Sequence, residues 1–181
     1  SIAENAAGVA TLTATLSGVS ITSTTVTITY TGTAVGADYA ASSTTIVIPA
    51  GSLTGTVTID PTNDGTYEGS ETVIADITGV TSASGVTESG TQTATVTITD
   101  DEAIPTVTLT GTTSIAENAA GVATLTATLS VPTTVATTVT LTYTGTAVGA
   151  DYAASSTTID TPAGSTTATV TIDPPNYGTY A

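Results

Sequence analysis

Ala10–Leu16 reads ATLTATL, and the same letters return at Ala123–Leu129. Apolar residues alternate strictly with threonine here, a period of two rather than the 3.6 of a helix. The alternation places Leu12, Ala14 and Leu16 on one face and Thr11, Thr13 and Thr15 on the other, the pattern of a half-buried β-strand. Threonine keeps β-propensity without adding apolar surface, so the threonine face is expected to meet water. A one-residue slip would exchange the two faces, so the register is well specified.

Outward from this strand, SIAENAAGVATLTATLS of Ser1–Ser17 recurs intact at Ser114–Ser130, and TGTAVGADYAASSTT of Thr31–Thr45 recurs at Thr144–Thr158. The offset is 113 positions throughout, with no gap between Ser1–Glu68 and Ser114–Ala181. That period exceeds the roughly 20–50 residues of solenoid units and fits one whole β domain per repeat. Five more runs in the first copy share the alternation: Thr25–Tyr30, Thr44–Ile48, Gly55–Ile59, Thr72–Ile77 and Thr93–Thr99. Thr106–Thr110 supplies a further strand that should open a complete repeat. Turn material such as Gly32–Asp38, Pro49–Gly51 and Asn63–Gly65 separates the runs. The expectation is an all-β chain of tandem seven-stranded antiparallel β-sandwich repeats, immunoglobulin-like in kind. Residues 1–102 form a repeat lacking its first strand, and 103–181 a second repeat lacking its last strands, like a frame cut from a longer array. Exposed sheet edges recruit other strands. Both gaps are therefore expected to be filled, by covalent continuation of the array (the simpler reading) or by strands from a neighbouring subunit.

The chain has no Lys, Arg, His or Cys, and 15 Asp plus Glu give a formal charge of -15. Binding to phosphate backbones needs basic side chains, which excludes a nucleic-acid partner. An anionic membrane surface is excluded on the same ground. No apolar run reaches the roughly 18 residues that span a bilayer, so direct membrane insertion is not expected. The lack of cysteine shows only that disulfides do not staple the fold. Catalysis is left with carboxylates, Ser and Tyr alone, and no Trp offers a sugar platform beside a carboxylate pair. An enzyme is not expected.

The acids avoid the strand centres. Glu4 precedes the second strand of a complete repeat, Asp38 lies in AVGADY, Asp64, Glu68 and Glu71 lie in DPTNDGTYEGSE, and Asp100, Asp101 and Glu102 close the repeat. In an up-and-down sandwich, loops separated by an even number of strands share an end, which would bring 1–5, 60–71 and 100–102 together. Carboxylates gathered without a basic partner repel one another. Either they stay splayed in water or divalent cations hold them, and Ca²⁺ takes 6–8 oxygens in a flexible shell. Zn²⁺ and copper are disfavoured without His or Cys. The loop Asp60–Glu71 also has calcium-loop spacing, with Asp60 first, Asp64 fifth, Gly65 sixth, Thr66 seventh, Glu68 ninth and Glu71 twelfth. Thr62 at the third place and the strand flanks separate it from an EF-hand.

SIAENAAGVATLTATLS, TGTAVGADY, NDGTYEGSETV and VTITDDE, in that order, resemble the Calx-β domains of sodium–calcium exchangers and of large bacterial surface proteins. The resemblance covers Ser1–Glu102 and, truncated, Pro105–Ala181. It implies a seven-stranded sandwich binding Ca²⁺ at one tip. It also implies ligand roles for Glu4, Asp38, Asp64, Glu68, Glu71, Asp100 and Asp101, with Glu102 in the closing run and Thr66 offering a backbone carbonyl. Asn63 stands where family members that hold several ions carry Asp. In the second copy Glu117 and Asp151 persist, whereas Tyr177 replaces Asp64 and Ala181 replaces Glu68, so that site is expected to be defective. Simpler roles stand beside these: Asp38 and Asp151 as turn residues, the DDE run as a solvated linker, and Tyr39, Tyr67, Tyr152 and Tyr180 as core aromatics.

The function expected is a calcium-binding structural repeat of an extracellular filament, adhesin stalk or surface layer at the cell surface. Homotypic repeats or subunits would be its partners, and Ca²⁺ would stiffen the junction at Asp100–Glu102. The alternative is a regulatory calcium-sensor pair attached to a larger membrane or secreted protein.

Overall fold

A computed structural model describes residues 1–117 and 121–175. Among the described residues there is no helix, and none that could cross a membrane. The chain is all-β and divides into two compact units, Ser1–Asp64 with Glu68–Asp101, and Gly65–Tyr67 with Glu102–Ala181.

In the first unit, two sheets form a sandwich. One runs in the order β1 (Ile2–Ala3), β8 (Thr93–Thr99), β7 (Glu71–Ser82), β3 (Thr24–Gly32), β5 (Thr45–Ile48). The other runs β2 (Ala10–Thr15), β6 (Thr54–Pro61), β4 (Tyr39–Ala41). All pairings are antiparallel except β1 with β8. The six alternating runs of the first copy are all strands. The connectivity departs from the up-and-down expectation, since β3 lies between β5 and β7 and β2 pairs with β6. Strands β1 and β4 went unforeseen because two or three residues are too few to show a period; neighbouring backbone defines them.

The core between the sheets is aliphatic, with Ile48, Ile59 and Val73 at 1% exposure or less. Fully burying such a side chain stabilises by about 1.5–3 kcal/mol. In β2 the expected faces hold: Leu12 is buried, Ala14 half-buried, and Thr11, Thr13 and Thr15 exposed. Threonine is not uniformly outward, however. Thr24 is fully buried at the start of β3, and its hydroxyl donates to Ser82 Oγ at 3.2 Å. A hydroxyl with a partner can be buried at little cost, which the alternation alone does not reveal.

The described part of the second unit contains a four-stranded sheet in the order β9 (Val107–Gly111), β10 (Ala123–Leu129), β14 (Thr167–Asp173), β12 (Ala153–Ala154). A pair, β11 (Thr137–Thr140) with β13 (Thr158–Thr161), accompanies it. Sequence identity carries over to register: Ala10 faces Ile59 in the first unit, and Ala123 faces Ile172 in the second. Tyr30 donates its hydroxyl to Ser43 O, and Tyr143 to Ser156 O, each at 2.8 Å. Among the described residues the core of this unit is smaller, centred on Ala127, Ile159 and Val170.

Candidate metal centre

The first unit builds its acidic end from four segments. Strand β3 ends at Gly32, whose φ of 127° suits glycine. A Cβ there would collide with the Thr72 carbonyl. The chain after it is stitched to the start of β7: Ala34 N donates to Thr72 O at 3.1 Å, and Thr72 N to Thr33 Oγ1 at 2.9 Å. Asp38 then closes its own turn, its Oδ2 accepting from Val35 N and its N–H donating to Val35 O at 3.0 Å. Asp38 O in turn accepts from Thr62 N at 2.8 Å, which ties the loop to the end of β6. These bonds hold the Asp38 carboxylate at 8% exposure beside Glu71.

Asp38, Glu68 and Glu71 place a carboxylate oxygen each within 4.8 Å of one another. Burial and hydrogen bonding to Asp38, followed by repulsion from Asp38, Glu68 and Asp100, push Glu71 up from 4.5 to about 7. Burial, then Asp38, Asp64 and Asp100, also raise Glu68. Without a cation, a proton on Glu71 shared with Asp38 relieves the cluster. Asp100 is the hinge of the arrangement, since its Oδ2 accepts from both Glu68 N and Gly69 N. Glu4 approaches Asp100 within 4.8 Å and is 5% exposed. The Glu4 N–H donates to Thr99 O at 3.0 Å, continuing the β1–β8 pairing. Asp101 accepts from Asn5 Nδ2 at 2.8 Å.

The other expected ligands are placed differently. Asp64 is exposed and stands outside the Asp38–Glu68–Glu71 group, acting on Glu68 through its charge. Asp60 is exposed within β6 and joins no acidic group of three among the described residues. Thr66 and Glu102 belong by their contacts to the second unit. There, Glu117 and Asp151 are exposed, and no acidic group of three forms around them among the described residues. Asp151 keeps the turn role, its Oδ2 accepting from Val148 N at 2.8 Å. Tyr39 packs edge-to-face on Tyr30 at 6.4 Å, and Tyr152 lies 5.9 Å from Tyr143. Tyr177, Tyr180 and Ala181 lie outside the described residues. Sequence reasoning missed that Asp100 binds backbone N–H groups; its place directly after a strand and opposite the glycine at position 69 was the only signal.

The donor set is entirely hard oxygen, and no basic side chain exists in the chain to neutralise it. Buried charges need a partner or a metal, and clustered carboxylates on loops fit Ca²⁺ better than smaller or softer ions.

No family model matches the sequence, and no curated protein matches it. Solved structures are similar at low identity. The crystal structure of CBD12 from CALX1.2 is 18% identical with a TM-score of 0.49, covering 98% of this chain and 72% of that one. The calcium binding domain CBD12 of CALX1.1 is 18% identical with a TM-score of 0.48, over 97% and 72%. The CsuC–CsuE chaperone–tip adhesion subunit complex of Acinetobacter baumannii is 13% identical with a TM-score of 0.33, over 95% and 83%. Similarity of this degree fixes neither the ligand nor the role of this chain.

Proposed function

We propose that the first unit binds Ca²⁺ through Asp38, Glu68 and Glu71, with Asp100 and Glu4 adjoining. One observation carries this reading: three carboxylates, Asp38 among them buried, converge within 4.8 Å in a chain with no Lys, Arg or His. The resemblance of the four motifs to Calx-β domains agrees with it. Titration calorimetry tests it. Ca²⁺ should bind the chain, and the paired change Glu68→Gln with Glu71→Gln should abolish binding while leaving the β-sheet circular dichroism unchanged. Equal binding by that variant would refute the assignment.

For the role of the module, we propose a repeating spacer in an extracellular filament, adhesin stalk or surface layer. Its support is the near-identity of the two copies, which suits a length-setting array better than a divergent pair. Asp100 and Asp101 close the first repeat in sequence, so an ion held there would restrain the segment that follows. A regulatory calcium-sensor pair is the second reading. It is favoured by the contrast between the gathered acids of the first unit and the exposed Glu117 and Asp151 of the second. The number of repeats in the complete gene separates the two: a long array supports the spacer, and a pair beside transmembrane spans supports the sensor.

A further inference from the structure

Asp64 is followed by Gly65, and the sequence holds no other Asp–Gly step and no Asn–Gly step. The backbone nitrogen of the residue after an aspartate can attack the side-chain carboxyl and close a five-membered ring. A Cβ on that following residue crowds the approach, and glycine has none. Proline has no N–H to give up.

The other aspartates meet one of these obstacles. Asp60 and Asp173 precede proline. Asp76 and Asp160 precede the β-branched Ile77 and Thr161, and both lie in strands, where Asp76 pairs with Thr29 and Thr93 and Asp160 with Thr138. Asp38 and Asp151 precede tyrosine, Asp100 precedes Asp101, and Asp101 precedes Glu102.

The fold adds two conditions. Ring closure has to turn the Asp64 main chain until its carboxyl carbon meets Gly65 N, a motion that a strand ladder would resist. Asp64 and Gly65 lie outside every strand, after β6 ends at Pro61 and before β7 starts at Glu71. Ring opening needs water, and both residues are exposed. Beyond its chain neighbours, no described residue comes within 4 Å of where a Cβ on Gly65 would stand.

We propose that Asp64–Gly65 is a site of spontaneous succinimide formation, through which the loop between β6 and β7 ages into an isoaspartyl form. In the first step Gly65 N bonds to Asp64 Cγ, and the carboxyl hydroxyl leaves with the amide hydrogen as water. In the second step water adds to one ring carbonyl, the bond from that carbon to Gly65 N breaks, and the nitrogen regains its hydrogen. Opening at Cγ restores aspartate. Opening at the main-chain carbonyl leaves the chain running through Cγ, one backbone atom longer, with the carboxylate on Cα. One water leaves and one returns, so the mass is unchanged and no oxidant or cofactor takes part.

The lengthened segment leads to Glu68, on which the Asp64 charge already acts. Glu68 N and Gly69 N are held by Asp100 Oδ2, so the extra atom has to be absorbed between Asp64 and Glu68. Where the calcium reading proposed above holds, ageing displaces Glu68 and weakens the ion site. The isomerisation itself does not depend on that reading.

Incubation of the folded full chain at neutral pH and physiological temperature, with samples taken over weeks, tests the proposal. Asp-N protease cuts before aspartate and not before isoaspartate. The cut between Asn63 and Asp64 should therefore be lost from a growing share of the chain at unchanged mass, and isoaspartyl methyltransferase should label that segment. Gly65→Ala should slow the loss, and Asp64→Glu, which keeps the charge but would need a six-membered ring, should abolish it. A synthetic peptide of Thr62–Glu68 gives the rate without the fold, and the folded chain should match it. A chain that keeps the cut while the peptide loses it would overturn the proposal, as would label arising first at another aspartate. Calorimetry on fresh and aged chain separates the two readings. Fresh chain that binds no Ca²⁺ counts against the calcium assignment alone, whereas isomerised chain that binds as tightly as fresh chain overturns the consequence drawn for Glu68.

Discussion

Glu71 concentrates the electrostatics of the first unit in one carboxyl group. Its protonated form is favoured in the fold, with a pKa of about 7 against 4.5. The folded unit therefore holds that proton more tightly than the unfolded chain, and the resulting stability is complete below about 4.5 and lost as pH rises through about 7. In chelator, the thermal midpoint should climb as pH is lowered from 8 towards 5 (scan conditions, chosen to bracket this window). Calcium should flatten or reverse that slope, because the ion requires the deprotonated group. A parallel pH dependence with and without calcium would contradict the assignment. Glu71→Gln should melt above the parent in chelator at neutral pH and gain little from added Ca²⁺. Asp76 behaves differently: its Oδ1 is buried with no hydrogen-bond partner. Asp76→Asn removes a charge at that position and should stabilise the unit by roughly 1 kcal/mol, readable as a rise in denaturant midpoint.

Among the elements, the turn leaving β3 transmits the sandwich to the acidic end. Gly32 and Gly145 are repeat equivalents with φ of 127° and 134°, yet only Gly32 sits against the backbone of another strand. Around Gly145 no described residue comes within 4 Å of where a Cβ would stand. Alanine at either position meets the backbone cost of about 1–3 kcal/mol, and at Gly32 it also displaces Thr72, the neighbour of Glu71. Gly32→Ala should therefore destabilise more than Gly145→Ala and weaken Ca²⁺ binding, whereas Gly145→Ala should leave binding as it is. Denaturant melts and calorimetry on the two variants check both statements.

At the scale of the whole molecule, a charge of -15 with no basic side chain opposes compaction everywhere. Neutral salt should raise the thermal midpoint by screening, and Ca²⁺ should raise it further at equal ionic strength. Extracellular modules bind with Kd of about 10⁻⁴–10⁻³ M, so millimolar ion contributes about 1 kcal/mol by mass action. Superimposable melts in Ca²⁺ and Mg²⁺ at matched ionic strength would leave screening as the whole effect.

What the sequence determined by itself was local and periodic. Alternation in ATLTATL and its relatives defined the long strands, their inward faces and the two-fold repeat, because side-chain period and β-propensity are properties of neighbouring residues. It also marked Glu4, Asp38, Asp64, Glu68, Glu71, Asp100, Asp101 and Glu102 as a group, through motif order and the absence of cations. Only the tertiary structure decided which acids meet. Asp38 is buried beside Glu71 because Gly32 and Thr72 lock its loop, while Asp60 and Asp64 at similar spacing stay in water. The same holds for Thr24, inward despite its type because Ser82 accepts its hydrogen bond. The sharpest case is β2 against β10, identical in letters and different in exposure, because burial depends on the strand alongside and no strand carries its neighbour in its own sequence.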